Sequence, residues 1–355
     1  MDGQDDRFVI GIVGLEAPGT YYADVFVDLG HEVVGVATDS DVREEFEREF
    51  DAETYEDPDD LFDADVDAVF ISTPNKFHES LAVQAMEADH DVLVAKPLAD
   101  SLESAEGIRD VAERTGNICM IGFYHRFREY YDVLQSYVDG GRLGEVIHVD
   151  ARFVRRRGVP GRGTWYTSER LAGGGALIDL GSQVLDVLLA LSEWRAIDEV
   201  MSATRSDFGH REDYSYVYMW GEDDEAKMYD VEDSARAFLQ FEDGSTATVE
   251  VAWAANARNE HVYRIQGTEA GAELRIDNDP YRDSDPTDLE LYEVREGGPD
   301  HLADTELVCE NNEGHERMVE TFVDAVRNDE RPAKCNVHQG MAVQRAIERI
   351  YDADR

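Results

Sequence analysis

The sequence predicts an α/β chain: a doubly wound parallel sheet over residues 1–125, then a second α/β region over residues 126–355 with antiparallel strands. Three observations predict it. Short apolar, β-branched runs alternate with helical patterns of about 10–15 residues in the first region. The first of these runs, Phe8 to Val13, breaks into a glycine turn. From Ser234 onward strand-like alternation replaces that rhythm, and Asp243-Gly244 between two such runs is a hairpin signal.

Phe8-Val9-Ile10-Gly11-Ile12-Val13 reads as a strand buried on both faces. Gly14-Leu15-Glu16-Ala17-Pro18-Gly19 is the turn, and Thr20 is expected to cap a helix running to Leu29. Val33 to Ala37 is the second strand. Thr38-Asp39 follows about 20 residues after the turn, the spacing of a dinucleotide-binding βαβ unit. In G-x-G-x-x-G the middle glycine lets backbone approach the pyrophosphate. Here Gly14 and Gly19 keep the outer places and Glu16 holds the middle one, an anion facing an anion. Ala68 to Ile71 is the third such strand. It runs into Ser72-Thr73-Pro74-Asn75, and His78 opens a helix to about Ala88. After the run ending at Val94 come a helix from about Ser101 to Thr115 and a strand from Ile118 to Gly122.

Val92-Leu93-Val94-Ala95-Lys96-Pro97 carries the sharpest chemical signal. A buried strand end does not favour an ammonium, because desolvating the charge is costly. The chain holds only four lysines, Lys76, Lys96, Lys227 and Lys334, yet one stands at the mouth of an apolar strand. The carboxyl ends of strands in open α/β sheets are where ligands bind. A lysine that merely snorkels to the surface is the bland alternative; we read Lys96 as a site lysine.

Gly122 to Phe127 marks the crossing into the second region. A helix from about Glu129 to Asp139 stops at Gly140-Gly141, and Val146 to Val154 is a long strand. Arg155-Arg156-Arg157 with Arg162 and Arg170 form a basic cluster in an acidic chain. Gly173-Gly174-Gly175 leads into an apolar helix carrying Asp179, Gln183 and Asp186. Asp179 and Gln183, at i and i+4, would share one face. The bland reading of Asp179 is a first-turn carboxylate favoured by the helix dipole. Residues 207–230 read as a polar insertion. The hairpin strands are Ala235 to Phe241 and Thr246 to Trp253, continued by Val262 to Gln266 and Leu274 to Ile276. Residues 277–288 read as a solvated acidic loop without the glycine and ligand spacing of a calcium site. Helices near 313–328 and 338–354 finish the chain.

Composition bounds the function. At 355 residues the chain suits about two domains. Asp+Glu is 79 against 33 Lys+Arg, a formal net charge of -46. The acids are scattered, as in the surfaces of halophilic proteins, and self-repulsion at this charge calls for screening salt. Nucleic acid and anionic membranes are disfavoured as partners, since phosphate contacts need clustered Lys and Arg. From the polar first residues we expect no signal peptide, and we expect no membrane-spanning run of about 18 apolar residues. The three cysteines form no CxxC and read as reduced, buried thiols of a cytoplasmic protein. There is no HExxH, zinc-spaced Cys/His set, serine elbow or repeat, so no metal is expected.

Taken in order, the Gly turn, Ser72-Thr73-Pro74-Asn75-x-x-His78, Lys96-Pro97, Gly122-Phe123-x-x-Arg126-Phe127, Trp165, Gly173-Gly174-Gly175-x-x-x-Asp179-x-Gly181 and Val231-Glu232-Asp233 form an ordered set. That set resembles the glucose–fructose oxidoreductase / inositol dehydrogenase / rhizopine catabolism (Gfo/Idh/MocA) oxidoreductases over nearly the whole chain. The resemblance implies an N-terminal Rossmann domain and a C-terminal domain with a large, mostly antiparallel sheet that forms a dimer or tetramer. It also implies the last helices packing back on the N-terminal domain, and a sugar, cyclitol or related substrate with NAD or NADP. It would make Gly14, Gly19, Thr38, Asp39, Ser72, Thr73, Pro74, Asn75, His78, Lys96 and Pro97 cofactor residues. Lys96 would be the acid/base, with Asp179 and Gln183 completing the catalytic set. Tyr124, Arg126, Trp165, Tyr166, Asp179 and Gln183 would hold the substrate. Desolvation beside a cationic ring favours a neutral amine, the form a base needs. Three positions depart from the family: Glu16 for glycine, Ala95 for glutamate, and Gln183 for a histidine that glutamine cannot replace in proton transfer. The departures keep two alternatives open, a non-catalytic nucleotide-binding regulator and NAD-assisted non-redox chemistry. Asp39 favours the free 2′-hydroxyl of NAD, and Arg43 argues for NADP; the reading leans to NAD.

Overall fold

The computed structural model describes residues 7–211, 218–220, 223, 229–276, 288–295, 299–309 and 314–355. The chain divides into two units. The first is Met1–Tyr124 with Gly314–Gln344, and the second is His125–Glu313 with Arg345–Arg355. In this division residues 314–344 belong with the first unit.

In chain order the first stretch holds β1 (Val9–Val13), α1 (Ala17–Asp28), β2 (Glu32–Val36), α2 (Ser40–Phe50), β3 (Thr54–Tyr55), α3 (Pro58–Phe62), β4 (Ala68–Ile71), α4 (His78–Glu87), β5 (Asp91–Val94), α5 (Leu102–Thr115) and β6 (Cys119–Ile121). Then follow α6 (Glu129–Asp139), β7 (Val146–Val154), β8 (Gly158–Pro160), α7 (Glu169–Ala172), a π-turn (Leu177–Gly181) and α8 (Ser182–Leu191). Strands β9 (Ile197–Arg205), β10 (Tyr218–Trp220), β11 (Ser234–Phe241), β12 (Thr246–Ala252), β13 (Glu260–Gly267), β14 (Ala270–Arg275), β15 (Asp288–Arg295) and β16 (His301–Leu307) precede α9 (His315–Asn328) and α10 (Val337–Asp354).

In the first unit six parallel strands pair in the order β3-β2-β1-β4-β5-β6. The apolar runs that announced them are buried: Ile10, Ile12, Phe70, Ile71, Leu93 and Val94 are inaccessible, as strands covered on both faces must be. Local chemistry sets the helix limits. Asp39 caps α2 through the amides of Asp41 and Val42. The Ser101 hydroxyl caps α5 through the Ser104 N–H, and Gly116 ends it in the left-handed region. The expected cap at Thr20 is corrected. Helix α1 already starts at Ala17, with Pro18 in its first turn, because proline's fixed φ suits that position. Thr20 lies inside the helix and donates its hydroxyl to the Leu15 carbonyl at 2.8 Å.

In the second unit eight strands pair in the order β16-β15-β14-β13-β7-β12-β11-β9, antiparallel except for β7 with β12. Alternation places Ala235, Ala237, Leu239 and Phe241 of β11 inside, and Arg236 and Phe238 outside. The outer face carries an ion-pair ladder across four strands, Arg236–Glu250–Arg152–Glu260. Strands β9, β15 and β16 escaped the sequence reading. Their outward residues are not reliably polar, Met201 being 74% and Leu302 81% exposed, so the apolar/polar alternation that marks a half-buried strand is lost. Within the 207–230 insertion, largely outside the described residues, β10 pairs parallel with β8. The acidic stretch at 277–288, but for Asp288, lies outside the described residues. One expectation needs correction: Glu169–Leu191 is long and apolar enough to cross a bilayer, but 94% of its apolar window is buried within the chain.

Candidate functional site

The first unit gathers the residues read as cofactor-binding at the carboxyl ends of its strands. After β1, Gly14 has φ +96°, and a Cβ there would lie 2.5 Å from the Ser72 carbonyl oxygen. A Cβ on Gly19 would collide with the Gly14 carbonyl. These two glycines therefore hold the turn close to β4 and α1 close to the turn. Glu16 is exposed and makes no side-chain cap for α1. After β2, Thr38 and Asp39 are exposed. Asp39 Oδ1 accepts the Asp41 N–H at 2.8 Å, and Arg43 donates to the carbonyls of Ala37 and Thr38 at 2.5 and 3.1 Å.

After β4, Ser72 is 8% and Asn75 2% exposed. Among the described residues the buried Ser72 Oγ and Thr73 Oγ1 find no hydrogen-bond partner. Unmatched buried hydroxyls are costly, so they call for a polar ligand. Together with the glycine cradle they fit a dinucleotide. His78 is fully buried, its Nδ1 3.0 Å from the Pro97 carbonyl and its Nε2 2.9 Å from the Thr73 carbonyl. Burial lowers its pKa, and the two carbonyls oppose that. His78 was read as lining the cofactor. The structure makes it instead a strut tying the Thr73 loop to the Pro97 loop. Lys96, half-buried, stands just past β5 at the start of that second loop, before a cis peptide to Pro97.

The second unit carries the residues read as substrate-facing. From Gly174 to Ser192 every residue is buried except Asp179. It sits in the π-turn, a feature that frequently marks functional sites. The turn corrects the reading of one regular helix, so the i, i+4 spacing of Asp179 and Gln183 does not by itself put them on a common face. Asp179 Oδ2 accepts the indole N–H of fully buried Trp253 at 2.8 Å. Gln183 is 6% exposed, and among the described residues its buried Oε1 has no hydrogen-bond partner. Trp165 and Tyr166 stack on each other, centroids 3.7 Å apart, and are half-buried. Arg126 does not fit the substrate role read for it. It is 3% exposed, donates to buried Asp186 at 2.7 Å and lies over Trp194, so its charge is spent on a buried ion pair. Tyr124 belongs to the first unit, where it stacks on His315, which in turn meets the Tyr22 hydroxyl at 2.9 Å.

Sequence reasoning missed Trp253 and Glu232. Trp253 had only the signal of an aromatic at the end of an alternating strand. Glu232 stood in a recognised tripeptide but had received no role. Among the described residues no group of three or more His, Cys, Asp or Glu side chains could hold a metal.

Comparison with known proteins agrees along both units. The family model described as oxidoreductase family, NAD-binding Rossmann fold, matches residues 8–123, and the GFO/IDH/MocA C-terminal domain matches residues 131–273. D-glucoside 3-dehydrogenase of Escherichia coli (strain K12) is 29% identical over 290 residues, 81% of this chain and 77% of that protein. Glucose-6-phosphate 3-dehydrogenase of Bacillus subtilis (strain 168) is 30% identical over 200 residues, 55% of this chain and 56% of that protein. Levoglucosan dehydrogenase in complex with NADH superposes with a TM-score of 0.81 at 18% identity, covering 98% of this chain and 97% of that one.

Proposed function

Because the chain belongs to the Gfo/Idh/MocA oxidoreductases, with an NAD-binding Rossmann fold as its N-terminal part, we propose that it oxidises a secondary hydroxyl of a sugar, cyclitol or sugar derivative. The observation that carries the reading is the placement of Lys96. It starts the loop that His78 ties to Thr73, whose hydroxyl and that of Ser72 await a polar ligand.

When bound, NAD supplies the hydride acceptor. Lys96 Nζ takes the hydroxyl proton while the carbinol hydrogen leaves with its electron pair, and the carbon becomes a ketone. The proton then passes from Lys96 to solvent. Asp179, fixed by Trp253, accepts hydrogen bonds from substrate hydroxyls, and Gln183 Oε1 offers a further acceptor. Trp165 and Tyr166 offer an aromatic platform. NAD is preferred over NADP because the exposed Asp39 carboxylate after β2 repels a 2′-phosphate.

The sugar-like substrates of the relatives support this class. Cys119, Cys309 and Cys335 are not joined in disulfides, which supports a cytoplasmic setting. The outward face of β9 and β11, with Met201 74% and Phe238 42% exposed, supports pairing with a second copy, as a dimer or a tetramer.

The test is titration with NADH and NADPH in molar salt, read by nicotinamide fluorescence, followed by a sugar and cyclitol screen with NAD. Saturable NADH binding with net NADH formation on at least one sugar is the expected result. Tight NADH binding with no turnover would replace this reading with a nucleotide-binding regulator. Turnover without net NADH would replace it with non-redox chemistry.

A further inference from the structure

We propose that Glu232 is the positioning residue for Asp179: it holds three consecutive backbone N–H groups where the Asp179 segment begins and so fixes the turn that presents that carboxylate. The functional side of this inference rests on the substrate role proposed for Asp179; its structural side does not.

The first N–H groups of a helix have no partner within the helix, and they carry the positive end of its dipole. Here a single residue from far along the chain satisfies them. Glu232 Oε2 accepts the Gly175 N–H at 2.9 Å, its backbone carbonyl accepts the Ala176 N–H at 3.1 Å, and Oε1 accepts the Leu177 N–H at 2.8 Å. The Tyr351 hydroxyl, from α10, donates to Oε1 at 3.0 Å. The next link is direct, since the Asp179 N–H donates to the Gly175 carbonyl at 3.0 Å.

The glycine run is explained by the same contacts. A Cβ on Gly174 would collide with the Tyr351 hydroxyl, and one on Gly175 with the Glu232 carbonyl oxygen. Gly173, with φ +81°, ends α7 just before. So the sequence Gly173-Gly174-Gly175 is what allows the carboxylate and the phenol to reach the start of the π-turn.

The groups facing the carboxylate are few. The Tyr351 phenol comes from α10 and the amides from the glycine segment. The neighbouring Asp233 carboxylate turns to the Phe208 and Gly209 N–H groups. Among the described residues no lysine, arginine or histidine hydrogen-bonds or pairs with Glu232. Burial pushes its carboxyl up to about 7, with the N–H groups and the Tyr351 hydroxyl pulling the other way. The holding contact is therefore sensitive to pH near neutrality.

The experiment compares the wild type, Glu232→Gln and Tyr351→Phe. Steady-state oxidation of the sugar found in the screen is followed from about pH 5.5 to 9, and NADH affinity by fluorescence. Crystal structures of the wild type and Glu232→Gln are determined alongside. Glu232→Gln is expected to lower kcat by about 10- to 100-fold, as misplacement by an ångström does. NADH affinity should be unchanged and the acid limb near pH 7 lost. Tyr351→Phe, which keeps the carboxylate, should retain most activity. It should move the acid limb to higher pH, because a hydrogen bond that favours the anion is gone. In the Glu232→Gln crystal the Asp179 carboxylate should leave the Trp253 indole. Wild-type kcat with the acid limb intact, or an unchanged π-turn and Asp179–Trp253 bond, would overturn the proposal. Should Glu232→Gln fail to fold, an unmoved acid limb in Tyr351→Phe would overturn it equally. If the wild type oxidises no sugar, the dehydrogenase reading falls while the crystal comparison still decides this one.

Discussion

Lys96 follows a strand whose last residues, Val92, Leu93 and Val94, are wholly buried. Its removal tests the proposed chemistry most directly. Lys96→Ala is expected to lower kcat by roughly 10²–10⁴-fold, the usual worth of a positioned acid/base, with NADH binding retained in fluorescence titration. Lys96→Arg should not restore the rate, since a guanidinium cannot give up its proton. Full activity in either variant would remove Lys96 from the mechanism. Asp39 makes a second test, because its carboxylate has two possible duties. Its Oδ1 caps α2, and it is also placed to read the cofactor ribose. Asp39→Ala should cost roughly 1 kcal/mol of stability from the lost cap, measured by urea unfolding, and should narrow the preference for NADH over NADPH. A stability loss with no change in cofactor preference would leave the cap as its whole role. Lys96 was legible in the sequence because its chemistry contradicts its surroundings. Trp253 and Glu232 were not, because each acquires meaning only from a partner 74 or 57 positions away. Arg126 misled for the same reason: its partner Asp186 lies 60 positions on, and a paired, buried guanidinium looks like a free one in sequence.

At the scale of elements, five of the six parallel strands and the β11–β12 hairpin were legible because burial on one or two faces marks the sequence, whereas β3, only two residues long, left no such mark. The start of α1, the π-turn and the edge strands were not. The first is set by Pro18 against a tight glycine turn. The second is set by contacts from Glu232 and Trp253. The third fails because strands such as β16 bury too little to enforce a pattern. Two groups near β11 and β13, half-buried Glu232 and buried His261, then pull the pH dependence of stability in opposite directions. His261 of β13 stacks on Phe153 of β7 at 4.1 Å, and burial, with Arg128 and Arg155 nearby, pushes its imidazole down to about 3. The unfolded chain protonates near its ordinary 6.5 and takes up the extra proton, so stability falls as pH drops from about 6.5 toward 3. Glu232, raised to about 7 from 4.5, has the other sign. Its native form keeps the proton longer, so its contribution is greatest below about 4.5 and declines as pH rises to about 7. His261→Phe should therefore gain on the wild type in melting temperature as pH falls from 6.5 to 4.5. Glu232→Gln should gain on it as pH rises from 5 to 8. Parallel curves for variant and wild type would show that the group titrates alike in both states.

Over the whole molecule the dominant fact is charge. A net of -46 with only four lysines means that most carboxylates have no cation to face. The arginines that are present are drawn into local sets such as Arg236–Glu250–Arg152–Glu260 and Asp150–Arg264–Glu273 on the outer face of the eight-stranded sheet. Partly exposed surface pairs of this kind contribute about 1 kcal/mol each and cannot offset repulsion among the remaining acids. Screening can. The Debye length is about 10 Å at 0.1 M salt and about 3 Å at 1 M, so molar salt removes repulsion between all but adjacent carboxylates. Pairs in direct contact lose less by the same change, and apolar burial is not weakened by it. The melting temperature should therefore rise steadily as KCl is raised from about 0.1 to 2 M, and sugar oxidation should rise with it as the folded fraction grows. Sucrose at matched osmolality separates screening from general exclusion, since a neutral solute leaves the charges unscreened. A rise in KCl that sucrose does not reproduce is the result expected of a salt-adapted chain. A melting temperature flat or falling in KCl would mean that the local ion pairs already balance the acids, and the salt-adapted reading of the composition would then be wrong.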